Sequence, residues 1–521
     1  MSRGSGDISR RAFMGRAGAV VAATAVAPAF GAAPSPPAKK PNILFLMADQ
    51  MRGDCLGVAG NSVIQTPHLD RLAAQGFHFA RAYSSTPSCT PARAALLTGM
   101  SPWNHGQLGY GRVAEKYPYE KAQALRDAGY HCYAVGKMHF TPQRNLHGYH
   151  ETVLDESGRA ESPDFRSDYR GWFRSQAPTL NPDATGIGWN DNTSAPYALP
   201  EELHPTRWTA DVAERFLDNY SGEAPFFLKV SFARPHSPYD PPARFMDAYR
   251  DTPLPERAVG DWAARYAPRS DNSTNLWHGD LGPEAARAAR QGYYGSISFL
   301  DEQIGRVLAA LERRGELENT LILFTADHGD MTGDHHLWRK TYAYEGSAHI
   351  PMIVRCPAGW TTAPAGTRLE NPVELRDVLP TFLDAAGVTG APAMDGSSLL
   401  RLARDPKADW RPWIDLEHSR CYAESHNWTA LTDGRMKYIY QFEDGREQLF
   451  DLADDPRELR DLSGVPGSAK TLAEWRGRMT EHLAPRGEAF VKNGTLITRP
   501  HAVLYSPNYP GGPPTPKGNK A

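Results

Sequence analysis

The chain has 521 residues, 40% of them apolar and 22% charged, with a net charge of −3. That length supports a large buried core, with room for one big domain and a smaller companion. The near-neutral balance gives no basic footprint for nucleic acid, so a chain that handles an anion must gather its positive charge locally.

In chain order, the first signal is Ser9-Arg10-Arg11-Ala12-Phe13-Met14, which reads as a twin-arginine export motif. A small-residue apolar stretch follows to Ala33, interrupted by Pro28, short and lightly hydrophobic for a membrane span. Residues 1–33 are therefore expected to be a signal peptide, cleaved near Gly31 to Ala33; a membrane anchor or an unstructured leader is the alternative. Export by the twin-arginine machinery would deliver a folded chain to the periplasm or the outside, with no stable membrane span in the mature protein. Residues 34–40 read as a linker.

The apolar run 42–47, ending in Ala48-Asp49-Gln50, suits a strand buried on both faces. Thr66-Pro67 opens a helix that stops at Gly76. Further apolar runs cover 130–135, 226–232, 321–325 and 350–354, with helical patterns at 206–220, 284–314 and 375–386. Strands alternating with helices predict an α/β fold with a mostly parallel sheet. Polar residues collect just past the strand ends, where sites of open α/β sheets lie. Residues 34–405 are assigned to this catalytic part. From about Trp410 the pattern changes to short antiparallel strands at 428–432, 436–440 and 448–452, joined at Asp433-Gly434 and Asp444-Gly445. A helix at 469–483 closes a smaller C-terminal domain, 406–490. The extension 491–521 is expected to lack structure in part, above all the Pro/Gly-rich 506–521. Stretches 181–197 and 268–283 read as long surface loops, where specificity often resides.

Cys55, Cys132, Cys356 and Cys421 fall at irregular spacings without a zinc pattern and read as free thiols. The fifth cysteine differs. Cys89-Thr90-Pro91-Ala92-Arg93, followed by Thr98-Gly99, resembles the active-site signature of type I sulfatases, members of the alkaline phosphatase superfamily. In that family the cysteine is oxidised to formylglycine, whose hydrate is the nucleophile. The resemblance runs in order over roughly residues 41–465. Asp49-Gln50 and Asp327-His328 match its two pairs of metal ligands, Gly136-Lys137-Met138-His139 its second signature, Pro235-His236 its third catalytic segment, and the stretch from Gly333 to Lys340 a segment ending in a sulfate-binding lysine.

The resemblance implies an alkaline-phosphatase-like α/β/α sandwich and hydrolysis of organic sulfate monoesters. It assigns Asp49, Gln50, Asp327 and His328 to one divalent cation. Ca²⁺ is expected, with Mn²⁺ as the alternative because imidazole is a softer ligand than an amide oxygen. Arg93 and Lys137 would hold the hydrated aldehyde at residue 89, Asp327 would help deprotonate it, His236 would protonate the departing alcohol oxygen, Lys340 would clamp the sulfate, and His139 would take a proton from the second hydroxyl. A formylglycine-generating maturation enzyme is an implied partner. The physics agrees, because an anionic substrate needs a cationic site, an activated nucleophile and a stabilised leaving oxygen. Asp330, Asp334, His335 and His336 read as supporting contacts rather than a second metal site. His105, His418 and His426 are further candidates for substrate contact. Gln50 replaces the commoner second aspartate, a variation shared with phosphonate monoester hydrolases and choline-sulfatase-like members; His336 and His349 stand where glycine and arginine are frequent. Export favours a sulfated carbohydrate as substrate. A phosphonate or phosphate ester hydrolase of the same fold is the alternative, and a non-catalytic protein that binds sulfated glycans is a more distant one.

Overall fold

Asn42–Asp49 is buried along its whole length, which a strand achieves at the middle of a sheet covered on both faces. In the computed structural model, which describes residues 39–423, 426–499 and 501–514, it is the fourth of eight strands. The twin-arginine segment and residues 515–521 lie outside the described residues. The order across the sheet is Glu151–Leu154, His131–Gly136, Phe226–Pro235, Asn42–Asp49, Thr320–Ala326, Met352–Arg355, Phe77–Phe79 and Thr367–Leu369. The first five run parallel; Met352–Arg355 is antiparallel to both its neighbours. Parallel register puts Ala48 beside Ala326 and Asp49 beside Pro235. Four adjacent strands thus end at one rim and hand their next residues to it: Lys137, His236, Gln50 and Asp327.

Helices cover the sheet as two packed groups. Pro67–Ala74, Pro205–Asn219 and Gly282–Arg313 form one, and Cys89–Thr98, Lys121–Asp127 and Val378–Ala385 the other, giving the α/β/α layering. The expected helices recur within a few residues; the 375–386 pattern splits into a 3-10 turn, Leu375–Asp377, and the helix that follows it. Among the described residues no helix is long and apolar enough to cross a membrane.

The C-terminal sheet has four antiparallel strands, Ile414–Ser419, Asn427–Thr432, Met436–Gln441 and Glu447–Asp451. Alternation buries both its faces. Leu416, Trp428, Ala430, Ile439 and Phe450 pack with Tyr83, Met331, Leu337 and Tyr344 of the catalytic part. Leu431, Tyr438, Tyr440 and Leu449 face outward to Leu472, Trp475 and Met479 of the Ala469–Leu483 helix. Each buried large side chain contributes about 1.5–3 kcal/mol, so this sheet is welded to the larger body, and the described residues form one unit.

The expectation that residues from 506 onward lack structure is corrected for 506–514. Leu504 accepts from the Leu108 amide at 2.9 Å, Ser506 Oγ donates to the Trp103 carbonyl at 2.6 Å, and the Tyr509 hydroxyl donates to the Arg112 carbonyl at 3.0 Å. The Tyr509 backbone also packs so close to Gly106 (φ +90°) that a Cβ there would meet it at 2.3 Å. Ser506, Tyr509 and the glycine seat at Gly106 decide the outcome, not the Pro/Gly average.

Candidate active site

The Cys89–Thr98 helix is buried on every side. Cys89 is its first residue and Gly99 (φ +70°) its left-handed stop. One turn on, Arg93 projects to the same face as Cys89. Facing them are the strand-end groups, and the ligand atoms of Asp49, Cys89, Asp327 and His328 all lie within 4.8 Å of one another. Cys89 Sγ is 3.2 Å from His328 Nε2, 3.3 Å from Lys340 Nζ and 3.9 Å from Lys137 Nζ.

Local bonds fix each group. His328 Nδ1 donates to the Gly329 carbonyl at 2.9 Å, which turns Nε2 inward to Cys89; burial opposes a charge on the ring, but Asp327 and Cys89 raise it above its ordinary value. Gln50 adopts φ +68°, an unusual conformation for a non-glycine residue. Its amide Nε2 donates to Asp330 Oδ2 at 2.6 Å, which aims Oε1 at Lys340, 2.9 Å away. Asp330 also accepts from the Tyr239 hydroxyl and from the amides of Thr332 and Arg339. Two carboxylates, one amide oxygen and one imidazole nitrogen converge here, a donor set suited to a divalent cation. The inward-turned Nε2 of His328 and the locked Gln50 amide fit that role.

Charge is balanced tightly. Burial alone would raise the Asp49 carboxyl, but the charges of Lys137 at 2.6 Å, Arg93 and Lys340 hold it well below its usual range. Burial and Asp49 push the Cys89 thiol up; Lys137, Lys340 and His328 outweigh them and bring it down to about 7. Burial opposes the charge on Lys340, yet Cys89, Tyr422 and Asp49 raise it, so Lys340 stays an ammonium. It donates to His236 Nε2 at 2.9 Å, while His236 Nδ1 lies 2.9 Å from the Ser237 carbonyl. Burial, Lys340 and Lys137 hold His236 neutral. Burial, Arg159 and Lys137 do the same for His139, whose buried Nδ1 has no partner among the described residues. The Glu156 carboxylate accepts from the amides of Met138 and His139, both at 2.9 Å, and so sets the loop that carries Lys137 and His139.

Arg93 lies one turn along the helix from Cys89 and feels its charge together with those of Asp327 and Asp49. Its guanidinium spans Asp49 Oδ2 at 2.9 Å and Asp327 Oδ2 at 3.0 Å, reaches Ser231 Oγ at 3.2 Å and donates to the Lys137 carbonyl. Its fork extends past Cys89 and clamps the two acids behind it. His105, His418 and His426 do not line the pocket at Cys89, a second correction. His105 is buried and its Nδ1 accepts from the Gln107 amide. His418 meets Ser88 Oγ at 2.8 Å, behind the nucleophile, and His426 sits beside Thr341 among Trp277, Tyr342 and Tyr422. Asp334 pairs with Arg52 and Arg290, and His335 Nδ1 accepts from the Gly260 amide, so both hold loops.

The pocket over Cys89 has a volume of about 380 Å³. Lys137, His139, His236 and Lys340 make its floor, and Tyr110, Arg159, Trp189 and Tyr422 its walls. The described residues lining it include no carboxylate. Trp189 meets His236 edge-on at 5.5 Å and Tyr110 meets His139 at 6.0 Å. Sequence reasoning missed these walls, although Trp189 lies in the 181–197 stretch singled out as a specificity loop. A larger cavity of about 700 Å³ lies elsewhere, lined by paired charges such as Arg52 with Asp54 and Asp334, and none of the groups around Cys89 borders it.

The sulfatase family model matches residues 41–388, and a model for the C-terminal part of N-sulphoglucosamine sulphohydrolase matches 333–484. The chain is 39% identical over 472 residues to an arylsulfatase of Clostridium perfringens, covering 88% of this chain and 97% of that protein. It is 32% identical over 458 residues to a choline-sulfatase of Rhizobium meliloti, covering 85% and 87%. Its fold is similar to that of the phosphonate monoester hydrolase of Agrobacterium radiobacter, with a TM-score of 0.73 and 26% identity over 88% of this chain and all of that one. The chain belongs to the sulfatase family. It is a sulfuric ester hydrolase with an alkaline-phosphatase-like fold.

Proposed function

We propose that this protein hydrolyses organic sulfate monoesters through a formylglycine formed at residue 89, assisted by a divalent cation held by Asp49, Gln50, Asp327 and His328. The observation that carries this reading is the convergence of Lys137, Lys340 and His328 on Cys89 Sγ at a helix N-terminus. That sulfur stands in for the oxygen of the modified residue. Formylglycine hydrate supplies two hydroxyls on one carbon, one to attack sulfur and one to let the site reset. The cation supplies positive charge against the sulfate oxygens. Two carboxylate ligands favour Ca²⁺; the imidazole keeps Mn²⁺ as the alternative.

The chain's own residues do the rest. Lys340 and Lys137 bring positive charge to the transferring group. Arg93 holds Asp49 and Asp327 as a rigid pair. His139, neutral and with a free nitrogen, is ready to accept a proton. His236 is neutral while two ammonium groups face it; a bound sulfate anion raises it and favours the protonated form that a leaving alkoxide needs. The three aromatic walls suit a single flat or ring-shaped alcohol, an aryl group or a terminal sugar of a sulfated carbohydrate, and supply no carboxylate for a cationic one. The Ser9–Met14 motif supports twin-arginine export to the periplasm or beyond, after maturation in the cytoplasm by a formylglycine-generating enzyme.

A second reading, phosphonate ester hydrolysis, is supported by the Asp49-Gln50 pair and the similarity to a phosphonate monoester hydrolase. One preparation assayed on nitrophenyl sulfate and on nitrophenyl phenylphosphonate separates them. The first reading expects the higher kcat/KM on the sulfate; a clear preference for the phosphonate refutes it.

A further inference from the structure

The hydroxyl of an N-cap serine ordinarily accepts a hydrogen bond from an amide of the first helical turn. Ser88 is the N-cap of the Cys89–Thr98 helix and makes no such bond. Its Oγ lies 2.8 Å from His418 Nε2, which comes from the first strand of the C-terminal sheet. His418 Nδ1 is buried with no partner among the described residues. A buried orphan lone pair is tolerated better than an orphan N–H, so the proton sits on Nε2 and His418 donates to Ser88. Directly opposite His418 in the sheet stands Trp428. Its Nε1 donates to the Thr341 carbonyl at 2.8 Å, one residue past Lys340. The Thr341 amide in turn donates to the Pro87 carbonyl at 2.9 Å, tying the two loops together. Lys340 itself is flanked by Arg339 at φ +64° and Thr341 at φ +86°. Such backbone persists only where the surroundings over-determine it.

We propose that the cross-strand pair His418 and Trp428 is a positioning device, gripping Ser88 and Thr341 so that residue 89 and Lys340 are held at the separation sulfate transfer requires. Because Ser88 is turned toward His418, its hydroxyl does not cap the Thr90 amide, the one first-turn N–H it could reach, since Pro91 has none. The C-terminal sheet is thereby part of the catalytic apparatus without touching substrate. This rests on the reading of residue 89 as nucleophile and Lys340 as sulfate clamp.

The test is a double-mutant cycle on the full chain, with nitrophenyl sulfate turnover expressed per formylglycine-bearing site, counted by peptide mass spectrometry. Ser88→Ala and His418→Leu are each expected to lower kcat about tenfold, with KM little changed, and the double variant to lose about tenfold rather than about a hundredfold. His418→Gln, which keeps a donor at a similar reach, is expected to recover most of the rate. Trp428→Phe, which removes only the N–H, is expected to cost about threefold in kcat. A purely structural role would instead lower the melting temperature and leave kcat per modified site unchanged. That result, or additive losses in the cycle, overturns the proposal. If His418→Leu does not fold, Ser88→Ala alone carries the test, and an unchanged kcat per modified site in Ser88→Ala overturns the proposal. Persistent turnover in Cys89→Ala would sink the nucleophile reading separately, whatever the cycle shows.

Discussion

The floor and the walls of the pocket are built by different means. Lys137, His139 and His236 of the floor follow directly on two neighbouring strands, and Lys340, on a loop, is held by Gln50, His236 and Cys89. The walls come from loops and are made mainly of rings, with Tyr110 40% exposed. Groups held this firmly are pre-organised for charge that develops during reaction. Loop-borne rings select what is attached to that charge and can change without disturbing the chemistry.

Substitutions can break this contrast at either side. The largest effect is expected for Cys89→Ala, which removes the precursor of the nucleophile; turnover should fall at least about a thousandfold with circular dichroism unchanged. Next is Asp330→Ala. Asp330 touches no substrate, but it orients the Gln50 amide, so kcat and the affinity for added divalent cation, followed by calorimetry, should both drop about ten- to a hundredfold. At the walls, Trp189→Ala should raise KM for an aryl sulfate about tenfold and leave kcat within about threefold. Equal losses in kcat from Trp189 and Asp330 would erase the distinction.

The smallest effect lies in stability. Burial depresses His105 to about 3 from an ordinary value of 6.5. The unfolded chain therefore binds a proton that the folded chain refuses between those values, and this contribution is lost as pH falls below about 6.5. In urea titrations at pH 7.5 and 5.5, the native protein should lose about 1.4 kcal/mol more than His105→Gln does. Identical losses would place the proton elsewhere.

Much of the floor was legible in the sequence because its residues follow strongly apolar strands. The run before Asp49 and the run before Asp327 announce both strand and site. Boundaries of long helices, such as Gly282–Arg313, followed from periodicity. Three-residue strands such as Phe77–Phe79 and Thr367–Leu369 carry too few residues for a period. The Ile414–Ser419 strand was missed because four of the six residues in its pattern, Ile-Asp-Leu-Glu-His-Ser, are polar and two of them charged; the sheet buries those charges by pairing Asp415 with Arg376 and Glu417 with Arg486. Arg93 was legible as a functional residue, but its partners were not, since only the fold reveals that Asp49 and Asp327 stand within reach of one fork. Tyr110 and Tyr422 have no local signal at all, because they come from loops more than 300 positions apart in sequence.

The most direct test of the central claim is mass spectrometry of the tryptic peptide spanning residues 82–93, from protein made in its own host, with sulfatase turnover measured on the same preparation. An aldehyde in place of the thiol at residue 89, in a fraction that tracks turnover across preparations, is the predicted result. Full turnover from protein whose Cys89 is intact would contradict it.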